Sequence, residues 1–100
     1  SASLKVKITE AYGELKVSDA SGKGLPKTYV KVFSEKNGKA DFFKDGYTDI
    51  RGKFEYANSS SGKLNGVSKF AVLVMSDSHG SMIREVQPPP QEASPAKPQQ

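Results

Sequence analysis

The fold is decided by residues 28–34, TYVKVFS, and by the Asn37-Gly38 pair that follows them. The segment is rich in β-branched and aromatic residues, the composition of a β-strand. Asparagine followed by glycine favours a two-residue hairpin turn, because both residues readily take a positive φ. These residues predict a strand that turns back toward Phe42 and Phe43.

Runs of alternating apolar and polar residues lie on both sides of this hairpin, and turn-forming residues separate them about every ten positions. The run 70–75, FAVLVM, contains no polar residue, which predicts a strand covered on both faces. Asp45-Gly46 is expected to end the fourth strand, and residues 57–68 are expected to form a long flexible loop. The predicted strands are residues 4–8, 14–18, 28–34, 42–44, 53–56, 70–75 and 82–86. The sequence therefore predicts an all-β fold, a seven-stranded antiparallel β-sandwich.

The limits of this domain follow from changes in composition. We predict a single β-sandwich domain over residues 4–87, preceded by residues 1–3, SAS, which have the composition of a cloning remnant. Residues 88–100 are rich in proline and predict a disordered linker within a larger multidomain protein. Pro95-Ala96-Lys97-Pro98 also matches a minimal polyproline recognition motif, although such spacing is common in any proline-rich linker.

Two segments resemble the transthyretin-like, or carboxypeptidase-regulatory-like, family of β-sandwiches. The first is residues 13–32, GELKVSDASGKGLPKTYVKV, in which a strand ends at Asp19 and a glycine turn leads to Leu25-Pro26 and a valine-rich strand. The second is residues 48–54, TDIRGKF, a threonine-aspartate pair followed by glycine and phenylalanine. The resemblance implies a transthyretin-like or immunoglobulin-like sandwich. It does not extend to enzymatic residues, because the hydrolase of that fold uses several histidines and His79 is the single histidine here.

Composition argues against several other functions. The net charge is +4, but the basic residues are interspersed with acidic ones and include only two arginines, Arg51 and Arg84, so we expect no nucleic-acid binding. There is no cysteine, so we expect no thiolate metal site, and with a single histidine a zinc site lacks ligands. We therefore expect no metal, and no cofactor is predicted. Asp41, Asp45 and Asp49 do not follow the alternate-residue spacing of a calcium loop. No apolar run is long enough to insert into a membrane, and we predict that the chain is not an enzyme.

A candidate binding surface remains on the third strand. If Val30 and Val32 face the interior, then Tyr29, Lys31 and Phe33 point outward. One of Phe42 or Phe43 from the next strand must also face outward and could join them, and we name Phe43 as the candidate. Exposed aromatic patches are typical of interaction sites. The alternative is that Tyr29 and Phe33 belong to the core, or that the loop at 57–68 covers this face with Leu64 and Val67.

These observations predict a non-catalytic module that acts as a structural spacer or a protein–protein interaction domain. Its partner would be another protein or another domain of the same parent chain. The alternative is a glycan-binding or adhesion module at a cell surface, because aromatic side chains stack on sugars. An extracellular location would also make Asn58, in the sequon Asn58-Ser59-Ser60, a glycosylation site.

Overall fold

The computed structural model describes residues 3–58 and 64–90. In this part of the chain, seven antiparallel strands form two sheets, and a short 3-10 turn follows the first strand at Glu10–Tyr12. The strands are β1 (Lys5–Thr9), β2 (Glu14–Ser18), β3 (Tyr29–Lys36), β4 (Lys39–Tyr47), β5 (Lys53–Glu55), β6 (Lys69–Ser76) and β7 (Gly80–Val86). The predicted all-β sandwich is confirmed.

The strand order is that of an immunoglobulin-like sandwich with one strand moved. One sheet has the order β1-β2-β5 and the other β4-β3-β6-β7. In constant-type immunoglobulin domains, the fourth strand pairs with the fifth. Here it pairs with β3, because Asn37 and Gly38, with φ of 53° and 79°, form a two-residue hairpin between Lys36 and Lys39.

The core lies between the two sheets and consists mainly of β-branched residues. Every second residue of β2, β3 and β6 is buried in it, and Tyr56 is buried beside them. Burying one such large apolar side chain stabilises the fold by roughly 1.5–3 kcal/mol. Leu64 and Val67 also belong to this cluster, so they pack between the sheets and do not form a lid over an outer face. Residues 59–63 of the predicted loop lie outside the described residues.

Two turns of identical pattern, Asp-x-x-Gly-Lys, lie within the two segments of the transthyretin-like resemblance: 19–23 after β2 and 49–53 before β5. In each turn the aspartate Oδ1 accepts hydrogen bonds from the backbone N–H groups of the third and fifth residues, at 2.9 or 3.0 Å. In each, the fourth residue is a glycine with positive φ, 93° at Gly22 and 82° at Gly52. The two turns therefore share one hydrogen-bonding design.

These hydrogen bonds favour the ionised aspartates. The backbone N–H of Lys53, followed by the Arg51 side chain, lowers the pKa of Asp49 from 3.8 to about 2. The hydroxyl of Ser21 and the backbone N–H of Lys23 lower the pKa of Asp19 in the same direction. Both turns are therefore stabilised most when the carboxylates are charged.

The backbone of the 49–53 turn also contacts the residues on either side of the 19–23 turn. A Cβ atom at Gly52 would overlap the carbonyl oxygen of Val17, and one at Gly24 would overlap that of Arg51. The N–H of Val17 donates to the carbonyl of Gly52 at 2.8 Å. Glycine is needed at both positions because the backbones approach each other too closely to leave room for a side chain, which is a structural role.

Two predictions about single strands were wrong. β4 continues through Asp45-Gly46 to Tyr47, because Gly46 leaves room for the Phe54 ring, 2.9 Å from the position of an added Cβ. β6 is covered on one face only: Phe70, Val72 and Val74 are buried, whereas the alternate residues are partly exposed and Met75 is 42% exposed. Its outward apolar residues contribute to a surface instead of a second core.

The boundaries of the domain at residues 4 and 87 stay predictions. Most of the predicted proline-rich tail, residues 91–100, lies outside the described residues, and so does the Pro95–Pro98 motif. Pro89 is buried, and the Gly13 Cβ position lies 3.3 Å from its Cγ. The described chain therefore packs on the sandwich as far as Pro89.

Candidate functional site

Three of the four predicted binding residues lie together on the outer face of the four-stranded sheet. Val30 and Val32 are completely buried, so the intervening Tyr29, Lys31 and Phe33 point to the opposite side of β3. Each of these three side chains is partly exposed, and neither Tyr29 nor Phe33 belongs to the core cluster. The sequence left open whether Tyr29 and Phe33 were core, and the structure places them outside it.

Phe43 does not share this face, so the prediction that it points outward beside these residues was wrong. A β-bulge shifts the register so that Val32 lies opposite Lys44 and Phe33 lies opposite Phe42. The extra residue turns the Phe43 ring inward, where it packs edge-on against the buried Phe70 at 5.0 Å between centroids. Phe42 takes the outward position and is 56% exposed.

One half of the surface is a cluster of two phenylalanines and a lysine. The rings of Phe33 and Phe42 meet edge to face, with centroids 6.4 Å apart. The Lys31 ammonium lies 5.3 Å from the Phe33 centroid and 5.9 Å from that of Phe42, within cation–π range. These contacts order the three side chains without a partner.

The other half is a pair of tyrosines. Tyr29 and Tyr47 pack edge to face at 5.5 Å, and the Tyr29 hydroxyl donates a hydrogen bond of 2.7 Å to Asp45 Oδ2. This hydrogen bond raises the pKa of Tyr29 above its usual value of 10.0. Tyr47 is 66% exposed, although it lies in a strand.

The apolar surface continues across β6 and β7. Lys31 lies opposite Leu73, which lies opposite Ile83, and Tyr29 lies opposite Met75. Met75 is 42% exposed and Ile83 is 66% exposed. The sequence analysis missed these residues, although the alternation within 82–86 would have placed Ile83 outward. We call the whole surface the aromatic face; it comprises Tyr29, Lys31, Phe33, Phe42, Tyr47, Leu73, Met75 and Ile83.

Charged residues border the aromatic face along one side. The Lys69 ammonium lies 3.2 Å from Glu85 Oε2 and 3.8 Å from Glu35 Oε1. The hydrogen bond with Glu85, together with the charge of Glu35, raises the pKa of Lys69. An apolar centre with a polar border is the usual anatomy of a protein–protein contact surface.

The other residues considered from the sequence do not form a reactive site. His79 lies in the turn between β6 and β7, with Nδ1 2.9 Å from the Ser78 hydroxyl, on the border of an open cavity of about 360 Å³. Asp45 and Asp49 are engaged separately, by Tyr29 and by the 49–53 turn. Within residues 3–58 and 64–90, no three histidine, cysteine, aspartate or glutamate side chains could together hold a metal ion.

Two further features concern location. Asn58 is exposed, but Ser59 and Ser60 of its sequon lie outside the described residues. The described segments contain no helix long and apolar enough to cross a membrane.

Comparison with known proteins identifies a family and one curated relative. A family model described as the AbpF C-terminal domain, of immunoglobulin-like type, matches residues 3–91. Actin-binding protein F of Dictyostelium discoideum is 48% identical over 88 residues, which cover 86% of this chain and 4% of that protein. No solved structure matches. These findings support an immunoglobulin-like domain and lend no support to the transthyretin-like resemblance.

Proposed function

This chain belongs to the AbpF C-terminal domain family, and from that membership we propose that it is a non-catalytic module for protein–protein contact within a long multidomain protein. The relative's printed name describes that protein as actin-binding, and this chain spans 4% of its length. A module of this kind contributes surface and spacing, and the partner is a protein or another domain. The transthyretin-like assignment stays a prediction that rests on residues 13–32 and 48–54.

The observation that carries the proposal is the aromatic face. Of the six large hydrophobic side chains that are exposed in the described residues, four lie on this face: Phe42, Tyr47, Met75 and Ile83. The other two, Tyr12 and Ile50, are separate from it in the 3-10 turn and the 49–53 turn. A contiguous apolar patch with a polar border is typical of an interaction site.

We propose that the occupant is another domain of the same parent protein. Most of the relative's length lies outside the region that this chain matches, which leaves ample chain for neighbouring domains. The centre of the face carries only Lys31 and Asp45 as charged groups among its described residues, and the Lys31 ammonium lies over the Phe33 and Phe42 rings. Such an apolar centre suits a contact that stays formed and fixes the spacing of two domains.

The glycan-binding alternative at a cell surface uses the same aromatic side chains. Nothing in the family or in the relative supports it, whereas both are consistent with a protein partner. Glycan binding is therefore an outcome for the experiment to detect and not a second proposal.

Hydroxyl-radical footprinting tests the proposal in the isolated domain and in the full-length parent protein. We expect Phe42, Tyr47 and Met75 to be modified at least about threefold more slowly in the full-length protein, because a docked domain excludes solvent. Tyr12 and Ile50 serve as controls and should react equally in both samples. Protection that develops only when actin filaments are added would identify the filament as the occupant instead. Equal reactivity in all samples would overturn the docking proposal.

A further inference from the structure

The outer face of the three-stranded sheet carries a row of lysines. Lys7 lies opposite Lys16, and Lys16 lies opposite Lys53, so three strands place three ammonium-bearing side chains side by side. Adjacent strands are about 4.8 Å apart, which keeps these lysines close neighbours. Lys5 projects from the same face of β1, two residues before Lys7.

This arrangement opposes folding. Like charges directly opposite each other on neighbouring strands destabilise a sheet, and opposite charges are the stabilising choice. Lys53 has one distant partner, Glu14, at 3.9 Å. Among the described residues, no acidic oxygen lies within 4.0 Å of the ammonium groups of Lys5, Lys7 or Lys16. No ion pair within the described sandwich therefore neutralises these three charges, although Glu14 lines a cavity beside Lys7 and Lys16.

The lysines border an open cavity. It has a volume of about 590 Å³, and the cationic side chains that line it are Lys5, Lys7, Lys16 and Arg84. None of its described lining residues is acidic. The Arg84 side chain is anchored by a hydrogen bond of 3.1 Å from Nη1 to the carbonyl oxygen of Val6. The cavity therefore presents four positive charges to one side of the domain.

We propose that this surface, defined by Lys5, Lys7, Lys16, Lys53 and Arg84 and called the lysine face, binds an acidic segment of a partner protein. A run of aspartate and glutamate residues would supply the carboxylates that the row lacks, and binding would relieve the repulsion between lysines. The contact uses the side of the sandwich opposite the aromatic face, so both contacts can form together. It stands whether or not the aromatic face binds another domain.

A protein segment fits better than an anionic membrane because of the neighbouring row. Glu14 lies opposite Glu55 on the same outer face, beside the lysine row. A membrane surface extends over the whole face and would press against both carboxylates, which it repels. A narrow acidic segment can follow the lysine row and leave Glu14 and Glu55 in water.

Fluorescence anisotropy with labelled poly-L-glutamate as the probe tests the proposal on the isolated domain. We expect binding that weakens as salt is added, because screening reduces charge attraction. The double variant Lys7→Glu/Lys16→Glu should bind at least about tenfold more weakly, because two favourable contacts become repulsive. The matched control, Lys36→Glu/Lys39→Glu at the β3–β4 hairpin, changes the net charge equally and should change the affinity by less than about twofold.

Each other outcome decides against the proposal. Equal losses in the two double variants would show that net charge alone determines binding. No binding of the original domain to poly-L-glutamate, or tighter binding to phosphatidylserine vesicles that the lysine variant abolishes, would also overturn it. Circular dichroism checks folding, and if the double variant does not fold, Lys16→Gln should still weaken binding about threefold. Footprinting of the aromatic face should not change in these variants, so the two proposals can fail separately.

Discussion

The two outer faces of the sandwich differ although the strands behind them are built alike. In β2, Lys16 stands between the buried Leu15 and Val17, and in β3, Lys31 stands between the buried Val30 and Val32. Lys31 lies over aromatic rings, whereas Lys16 lies between two other lysines. The inward residues of both strands must be apolar because they pack in the same core. The outward residues are not constrained in this way, so they can form different surfaces.

The difference teaches what each surface would gain from a partner. On the aromatic face, edge-to-face ring pairs and the Tyr29–Asp45 hydrogen bond already order the side chains, so binding would cost little side-chain entropy there. On the lysine face, the charges repel one another until an acidic group arrives. The side chains of the aromatic face are thus ordered by packing before a partner binds, whereas the lysine face carries an unbalanced positive charge that a partner would neutralise.

The largest effect should come from the core that both faces share. Phe70→Ala removes a completely buried ring that contacts Phe43 and Tyr56, so we expect a loss of about 3–5 kcal/mol in the free energy of unfolding. The matched control is Phe33→Ala in the adjacent strand, which removes a ring from the aromatic face and should cost under about 1.5 kcal/mol. Urea denaturation measures both. Similar losses would mean that the aromatic face is part of the core.

This pair of residues also shows how far the sequence determined the fold. The alternation of Val30 and Val32 with Tyr29, Lys31 and Phe33 predicted which residues of β3 share a face, but it left open whether Tyr29 and Phe33 were core. The Asn37-Gly38 pair predicted the hairpin to β4. Local periodicity is sufficient where a strand pairs without interruption, because side chains alternate strictly.

The remaining site residues depended on relations between distant segments. The bulge that turns Phe43 inward follows from the pairing of β4 with β3, which no local pattern in residues 39–47 reveals. The apolar run 70–75 is compatible with coverage on one face or on both, so Met75 could not be placed. The lysine row likewise exists only through the registers of β1, β2 and β5, which bring Lys7, Lys16 and Lys53 together.

A smaller loss of stability should follow when the pH is lowered. The Asp49 pKa, about 2 in the folded chain, lies below its ordinary value of 3.8. A lowered folded-state pKa stabilises the protein at pH values above the unfolded-state pKa, and this contribution is lost as the pH falls from about 4 toward 2. Asp49→Asn should therefore lower the Tm near neutral pH and reduce the further decrease in Tm between pH 4 and pH 2.

Thermal unfolding followed by circular dichroism across this pH range measures the effect. Asp41→Asn is the control, because Asp41 is exposed in β4 and does not hold a turn. Hydrogen exchange can also show which of the two sheets loses stability first in acid, because the 49–53 turn leads directly into β5 of the three-stranded sheet. At pH 3, amides of the three-stranded sheet should lose protection before those of β3 and β6. Parallel pH curves for Asp49→Asn and the original chain would contradict the role of this carboxylate.

The smallest expected effect compares the two faces most directly. Lys16→Thr should raise the free energy of unfolding by about 0.2–1 kcal/mol, because it relieves the repulsion from Lys7 and Lys53. Lys31→Thr makes the same substitution between two buried residues of a central strand, so any gain in β propensity is matched. It should lower the stability relative to Lys16→Thr, because it removes the ammonium from the Phe33 and Phe42 rings.

The dependence of stability on salt concentration distinguishes charge repulsion from the loss of the contact with the rings. Repulsion between exposed charges is screened over about 8 Å at physiological ionic strength, so the gain in Lys16→Thr should shrink as salt is added. The loss in Lys31→Thr depends on a contact with rings and should change less. A gain in the free energy of unfolding of equal size in both variants at all salt concentrations would mean that strand propensity alone explains the gain. The two faces would then not differ in charge repulsion. A salt-sensitive gain confined to Lys16→Thr would mean that the lysine face weakens the fold, as a surface kept for binding an acidic partner would.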